Sequence, residues 1–470
     1  MSLDVLFFHF PAYLPFMPPP GVNYLSTYVE EAGFRSEIMD INADLYQYDP
    51  NLWADIVQGG DTHKLADYYR NILVYVSNRS PRFIAFSAFE ISYKSSMFLA
   101  ELLRNEMPSV PIIVGGPDVL ERRELYEDWI AQSLCHFLIE REGEEVLSRI
   151  LRGEQHPLVG LVDMDLEHAP WLHRLPNIAH WYVSPLLLPV YASRGCTSRC
   201  LFCAHKVFWN GYRCKTPERM VSELDYYFNT FGVQRFYFTD MLLNGHMDWL
   251  DHFIEKLLES PRTYFWSSYF RVHPQLTCDR LFDLKQAGCV FMSLGLESHV
   301  QRLLDEFHKG TKVTDNERIV QDAADIGLIL HVSFIIGFPS ETPLEAVETL
   351  QFIRRHLDRM DHVEIYLYEN VPHSLGFKKA MAYFENEENQ AYRSRIASVY
   401  TDKLSLFNAK GGGVLSSHQI YSPDAAEIKI ALMNHCQTHL LGAAQVELIA
   451  ASKTDQRDML DAAIAVLTAE

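Results

Sequence analysis

Apolar residues in the first 150 positions follow two alternating rhythms. Short unbroken runs at 3–10, 35–41, 82–87, 111–114 and 136–140 have the length of buried strands. Between them the apolar positions repeat at helix period, at 22–32, 92–107 and 120–132, the first of these after the turn Pro18-Pro19-Pro20-Gly21 and ended by Gly33. Strands alternating with helices predict an α/β domain whose parallel sheet is covered on both faces, in the Rossmann-like (flavodoxin-like) manner. The ligand crevice of such a sheet lies beyond the carboxyl ends of its strands. That rule nominates Pro20 and Gly21, the loop 88–92, Gly115-Gly116-Pro117 and Arg141-Glu142-Gly143-Glu144. Glycines at these places let the backbone approach a ligand.

From about 155 the periodicity fades into His-, Pro- and Trp-rich sequence, including His168-Ala169-Pro170-Trp171 and Leu175-Pro176, which reads as a linker packed across the surface. A second alternating series begins at 187–192 and recurs at 235–239, 263–270, 290–295, 328–337 and 362–368. Six parallel β/α units predict a partial TIM-type barrel rather than a closed eightfold one. The remainder reads as helical around Gly411-Gly412-Gly413 and carries no recognisable chemistry. The expected organisation is a nucleotide-fold-like domain over 1–155, a linker over 156–186, the partial barrel over 187–375 and a mainly helical region over 376–470.

Composition narrows the function classes. A chain of 470 residues is too long for one core. A hydrophobic fraction of 48% with 22% charged residues is that of an ordinary globular protein, and a net charge of -20 argues against a nucleic-acid partner. No apolar run reaches the length of a membrane span, and the opening MSLDVLFFHFPAYLPF lacks the basic start and small-residue cleavage site of a signal peptide. A cytoplasmic location is expected. Cys135, Cys214, Cys278, Cys289 and Cys436 are scattered without disulfide-like pairing, which agrees with a reducing compartment.

The first barrel strand delivers the chain into Arg194-Gly195-Cys196-Thr197-Ser198-Arg199-Cys200-Leu201-Phe202-Cys203. Three thiolates on one short loop suit an iron-sulfur cluster held by one ligand fewer than the usual four. An open coordination position marks a catalytic metal rather than a structural one. Zinc, with His205 or Cys214 as a fourth ligand, stays open as the alternative. Thr216-Pro217-Glu218 then starts a helix, with a capping hydroxyl and a proline at its first position.

The C-x3-C-x2-C loop, with Phe202 before its third cysteine, resembles the signature of the radical S-adenosylmethionine (SAM) enzymes. The resemblance implies that Cys196, Cys200 and Cys203 bind a [4Fe-4S] cluster whose open iron is chelated by SAM. An electron, from a donor such as flavodoxin or ferredoxin, would then split SAM into methionine and a 5'-deoxyadenosyl radical. Phe238-Thr239-Asp240 with Asn244, Ser268 with Arg271, Gly295-Leu296-Glu297-Ser298 followed by Lys309-Gly310-Thr311, and Ile336-Gly337-Phe338-Pro339 with Glu341-Thr342 resemble the later elements of that barrel, in order. They imply SAM contacts at Asp240, Ser268, Arg271, Glu297, Gly337 and Pro339.

The N-terminal pattern Pro19-Pro20-Gly21, Tyr24-Leu25, Gly33, Asp40, Ser87, Gly115-Gly116-Pro117 and Gly143-Glu144 resembles the cobalamin-binding domain that precedes the barrel in a large subfamily. It implies cobalamin contacts at Pro20, Gly21, Ser87, Glu90, Gly115, Gly116, Pro117 and Gly143. The D-x-H-x-x-G motif that supplies a cobalt ligand elsewhere is missing; the nearest string, Asp61-Thr62-His63, lacks the glycine. No residue is therefore named as a lower cobalt ligand. The implied function is cobalamin-dependent methylation of an unactivated carbon in a natural-product, peptide or other small substrate. The alternative is radical cyclisation, oxidation or rearrangement without methyl transfer, with or without cobalamin. Methylthiotransfer to tRNA calls for three more cluster cysteines in the N-terminal part, where only Cys135 stands. A non-catalytic carrier has no use for Arg271, Glu297 or the Gly337 turn. Tyr366, Tyr368, His373 and Ser374 lie where a substrate could bind.

Overall fold

Each of the eleven apolar runs becomes a strand, and the eleven divide between two parallel sheets. The computed structural model describes residues 3–12, 15–154, 163–175, 182, 186–204, 208–371, 374–384, 387–400 and 443–468. His205, His373, Gly411-Gly412-Gly413, Cys436 and part of the expected linker lie outside the described residues.

The first sheet consists of β1 (Val5–His9), β2 (Ser36–Asp40), β3 (Phe83–Ser87), β4 (Ile112–Gly115) and β5 (Phe137–Ile139), in the order β2-β1-β3-β4-β5. This is the flavodoxin-like order, whose switch point between β1 and β3 opens a crevice at the strand ends. All five residues of β1 are buried, as a strand covered on both faces requires. Val5 and Phe7 pack toward Val22 and Leu147 on one side, and Leu6 and Phe8 toward Ile41, Trp53 and Leu99 on the other. The expected helix at 120–132 forms as two, Pro117–Glu121 and Arg123–Ala131, broken at Arg122, whose guanidinium turns back to Asp118 at 2.6 Å.

The second sheet runs β6 (Leu187–Val190), β9 (Arg235–Phe238), β10 (Phe265–Phe270), β11 (Cys289–Glu297), β12 (Ile329–Ile336) and β13 (His362–Leu367), every neighbour parallel. Between β6 and β9 a two-residue antiparallel pair is inserted, β7 (Ser193–Arg194) with β8 (Arg213–Cys214). Alternate residues Phe236, Phe238, Trp266, Leu294, Phe334 and Ile365 enter the large core beneath the helices. The opposite face is polar where a packed barrel would carry branched apolar residues. There Ser293 Oγ lies 3.1 Å from His331 Nδ1, His331 Nε2 lies 3.1 Å from Glu364, and the Tyr366 hydroxyl donates to Glu364. Phe16 and Met17, from the loop after β1, pack against Leu187 and Tyr237 at the β6 edge.

Two further segments pack against these sheets, the first of them bridging both. The chain around 163–175 buries Leu166, Ala169 and Leu172 in the barrel core, while Arg174 donates to the Ser36 carbonyl at 2.8 Å. At the other end the helix Ala443–Thr468 lies along the helix Pro343–His356 and buries Leu460, Ala463 and Leu467. Lys453 reaches from it to the carbonyls of Leu357 and Met360, at 3.0 and 2.5 Å, satisfying acceptors that a helix end leaves open. Among the described residues no helix is long and apolar enough to cross a membrane.

Candidate functional site

The cysteine loop is held from three directions. Gly195 enters it with φ +87, and a Cβ there would stand 1.9 Å from the Gly211 carbonyl oxygen, so only glycine lets β7 and β8 approach this closely. At its start, the backbone amides of Ala192 and Ser193 donate to Asp240 at 3.0 and 2.5 Å, and the Ser193 hydroxyl donates to the same carboxylate. Further on, the Leu201 amide donates to the Phe307 carbonyl at 2.9 Å, and the Gly376 amide to the Leu201 carbonyl at 2.8 Å. The Phe202 ring meets Phe307 edge-on at 5.6 Å.

Asp240 therefore acts as a splint under the loop, with both oxygens engaged by it. Burial pushes its carboxyl up to about 6, against the hydrogen bonds from Ser193 and Ala192.

Around the three thiols the barrel ends converge. Arg271 reaches the Ser198 hydroxyl, and Asn244 clamps the Arg271 backbone in both directions, at 2.8 and 2.9 Å. Lys309 pairs with Glu297 at 2.6 Å, both buried, and its ammonium lies 6.0 Å from the Phe202 ring centre. Glu297 takes φ +65 at an irregularity in the β11–β12 register. Gly295 makes room for that pair, because a Cβ there would lie 2.2 Å from Glu297 Oε1. Burial raises the Cys200 thiol, opposed by the nearby Lys309 and Arg271 cations. The Gly337 amide, at φ +76, donates to Glu341 at 2.5 Å, and Tyr392 donates to the same oxygen at 2.9 Å. Burial pushes Glu341 up to about 7.

Two named residues are placed elsewhere. Ser268 sits between Trp266 and Phe270, on the face of β10 that packs under the helices, because side chains alternate along a strand. Its hydroxyl is buried there without a hydrogen-bond partner. Glu90 is exposed at the start of a 3-10 turn. Of the residues named for a substrate, Tyr366 is on the polar barrel face, whereas Tyr368 packs on Phe338 at 4.8 Å.

A cavity of about 290 Å³, open to solvent on one side, lies beyond the carboxyl ends of the first sheet. Pro20, Gly21, Ser87, Gly115, Gly116, Pro117 and Gly143 all line it; Glu90 does not. Gly116 has φ 125 and ψ 173, a conformation confined to glycine, and a Cβ there would lie 2.4 Å from the Ala88 carbonyl oxygen. We expect Gly116→Ala to lose at least tenfold in hydroxocobalamin affinity while keeping the brown cluster absorbance, read by spectrophotometric titration of the anaerobic protein; unchanged affinity would remove this wall from the site.

The far wall of the cavity comes from the barrel side, through Tyr191, Ser193, Arg194, Trp209 and Thr239. Arg194 is buried there and donates to Glu142 at 2.7 Å and Glu144 at 2.5 Å. Behind it Lys215, with no exposed surface, pairs with Glu223 at 2.6 Å and lies 4.0 Å from the Tyr191 ring centre. Tyr24 and Tyr227 also donate to Glu223, at 3.1 and 2.8 Å. Of these groups the sequence nominates only the loop with Glu142 and Glu144; Arg194, Lys215 and Glu223 look like surface charges until β7 and β8 pair.

The residues present fit the implied groups. Three thiols share one loop beside the Arg271 and Lys309 cations, and the Thr311 hydroxyl and Glu341 Oε1 are buried without a hydrogen-bond partner. The cavity has a glycine cradle and one uncompensated buried acceptor, Glu144 Oε2. Zinc would need a fourth ligand drawn to the same point; of the two candidates, His205 lies outside the described residues and Cys214 lies on β8 opposite Ser193.

Comparison with known proteins agrees with this division. Residues 190–353 match the radical SAM superfamily, and residues 13–151 match the B12 binding domain. The chain is 31% identical over 168 residues to the anaerobic magnesium-protoporphyrin IX monomethyl ester cyclase of Rubrivivax gelatinosus, covering 36% of this chain and 30% of the cyclase. It is 28% identical over 181 residues to the bacteriochlorophyllide d C-8(2)-methyltransferase of Chlorobaculum tepidum, covering 36% of this chain and 39% of that enzyme. The chain thus spans well under half of either relative. Its fold is shared with the radical SAM methyltransferase TsrM of Kitasatospora setae, at a TM-score of 0.64 and 15% identity, over 81% of this chain and 74% of TsrM.

Proposed function

We propose that this chain, a radical SAM enzyme with an N-terminal B12-binding domain, is a cobalamin-dependent C-methyltransferase of a small substrate. One observation carries the reading: the glycine-cradled cavity and the cysteine loop share a wall, because Tyr191, Ser193 and Arg194 line the first and lead into the second. When bound, the cluster with SAM supplies a 5'-deoxyadenosyl radical and cobalamin supplies a transferable methyl group.

The protein's own residues have separable tasks. Cys196, Cys200 and Cys203 would hold the cluster, one ligand fewer than the usual four, which would leave a position for SAM. Arg271 and the Lys309–Glu297 pair set charge beside that position, where an amino acid zwitterion needs both signs. The Gly337 turn presents backbone that Glu341 fixes from behind. Gly115, Gly116 and Gly143 let cobalamin approach the first sheet. Phe16 and Met17 cover the β6 edge by packing on Leu187 and Tyr237. A small reduced electron carrier such as flavodoxin or ferredoxin would supply the electron.

The cyclase among the relatives supports a second reading, radical chemistry without methyl transfer. The two differ before any substrate is known. Anaerobic protein loaded with hydroxocobalamin, reduced with titanium(III) citrate and given SAM is expected to form about one equivalent of S-adenosylhomocysteine per bound cobalamin. Formation of 5'-deoxyadenosine with no S-adenosylhomocysteine would favour the second reading and end the first.

A further inference from the structure

We propose that Arg194 is a positioning residue that couples the cobalamin-domain cavity to the cysteine loop, so that ligand in one changes affinity at the other. The inference rests on the two cofactor assignments and not on methyl transfer.

Arg194 sits where the two sites are closest in the chain. It closes β7, two residues before Cys196, yet its guanidinium belongs to the cavity wall. Nη1 donates to Glu142 at 2.7 Å, and Nη2 to Glu144 at 2.5 Å and to the Tyr191 hydroxyl at 3.3 Å. The Tyr191 and Trp209 ring centres lie 4.9 and 5.2 Å from its central carbon, within cation–π range. Glu142 is shared: it also takes Arg213, the β8 partner of Arg194, and the Met164 amide at 3.0 Å. The cation is thus compensated by carboxylates of the first domain, while its backbone is fixed in the hairpin that leads into the cysteines.

Such an arrangement cannot yield at one end alone. The acidic loop 141–144 follows β5, and Glu144 opens the helix Glu144–Leu151. A ligand entering the cavity meets Glu142, Gly143, Glu144 and Arg194 together. Glu144 Oε2 is buried without a hydrogen-bond partner, so one acceptor faces the protein interior uncompensated until something donates to it. Any shift of Glu144 toward such a donor pulls on a bond to Arg194. The β7–β8 pairing, Ser193 with Cys214 and Arg194 with Arg213, carries the pull to the residues just before Cys196. Lys would not replace Arg here, since it lacks the planar fork whose two separate nitrogens reach Glu142 and Glu144.

Coupling between binding sites is reciprocal and commonly amounts to fivefold or more. The test uses the full chain with its cluster reconstituted. SAM affinity is titrated with and without hydroxocobalamin, and hydroxocobalamin affinity with and without SAM, while the electron paramagnetic resonance spectrum of the reduced cluster is recorded in each state. Wild type is expected to show at least about a fivefold change in both affinities, by the same factor, and a cobalamin-dependent change in the spectrum. Arg194→Met and Arg194→Lys are expected to bind both ligands with the two affinities independent, and Glu144→Gln, which leaves the Glu142 bond intact, to show a reduced factor. Should Arg194→Met fail to hold its cluster, Glu144→Gln, outside the cysteine loop, carries the decision: an undiminished factor there overturns the proposal. Independent affinities in wild type, or full coupling in Arg194→Met, also overturn it. Failure of wild type to bind hydroxocobalamin would overturn the cofactor assignment and this coupling with it, whereas absence of S-adenosylhomocysteine formation would touch only the methyl-transfer reading.

Discussion

Cys200→Ala is expected to give a folded, colourless protein that cleaves no SAM. Cys200 is the middle thiol of the three, and removing it leaves Cys196 and Cys203, too few to hold a cluster with one open iron. The fold should survive, because the loop is anchored through groups that the substitution leaves alone: the Asp240 carboxylate, the Phe307 carbonyl and the Phe202 ring. Absorbance of the anaerobically reconstituted protein and 5'-deoxyadenosine formation under dithionite measure the two losses together. Cys214→Ala is the matching control. Cys214 lies on β8 opposite Ser193, outside the loop, and its removal should leave both readings unchanged. Loss of bound metal in Cys214→Ala would return the site to the zinc-type alternative; SAM cleavage in Cys200→Ala would overturn the assignment of this loop as the catalytic centre.

The largest loss of stability is expected from breaking the Lys215–Glu223 pair. Both side chains have no exposed surface, and burial lowers the lysine against the pull of Glu223. Taking two charges out of water costs several kcal/mol, offset here by a 2.6 Å bond, two tyrosine hydroxyls on the carboxylate and the Tyr191 ring facing the ammonium. Removing one partner strands the other. Glu223→Gln or Lys215→Met should therefore cost about 3–5 kcal/mol, a fall in melting temperature on the order of 10 °C. The double variant Lys215→Met/Glu223→Leu should recover a large part of that loss, since a buried pair replaced by apolar groups is often near neutral. Melting curves of the four proteins decide the matter; single variants within about 1 kcal/mol of wild type would show that water reaches the pair. Tyr24, on the helix Pro20–Glu31 of the first domain, donates to Glu223, so loosened contact between the domains should accompany the loss.

The sequence reading and the structure part company in instructive places. Strands were legible because a buried parallel strand must be apolar on both sides, and each such run was bounded by helix-period sequence. The glycines around the cavity were legible for a related reason: Gly115, Gly116 and Gly143 follow strands at the end where a ligand crevice forms. Ser268 and Glu90, nominated by motif order, lie away from the cysteine loop and the cavity lining. One residue along a strand reverses the face a side chain occupies, and Ser268 falls on the helix-facing side with Trp266 and Phe270. Asp240 lies at the expected strand end, but its two oxygens are engaged by the loop backbone. The C-terminal region offered no motif, yet its helix Ala443–Thr468 packs into the barrel core through Leu460, Ala463 and Leu467.

By itself, the sequence determined which elements form, that the thiols come as three on one loop, and that glycines mark the strand ends, because each of these depends on spacing along the chain. Only the tertiary structure decided that the cavity and the cysteine loop share a wall, that Arg194 bonds Glu142 and Glu144 across some 50 positions, and that Lys215 is buried against Glu223 and Tyr24. The physical reason is the same in each case. A charged side chain reads as solvent-facing until its partner arrives from a distant part of the chain, and only packing brings that partner into reach.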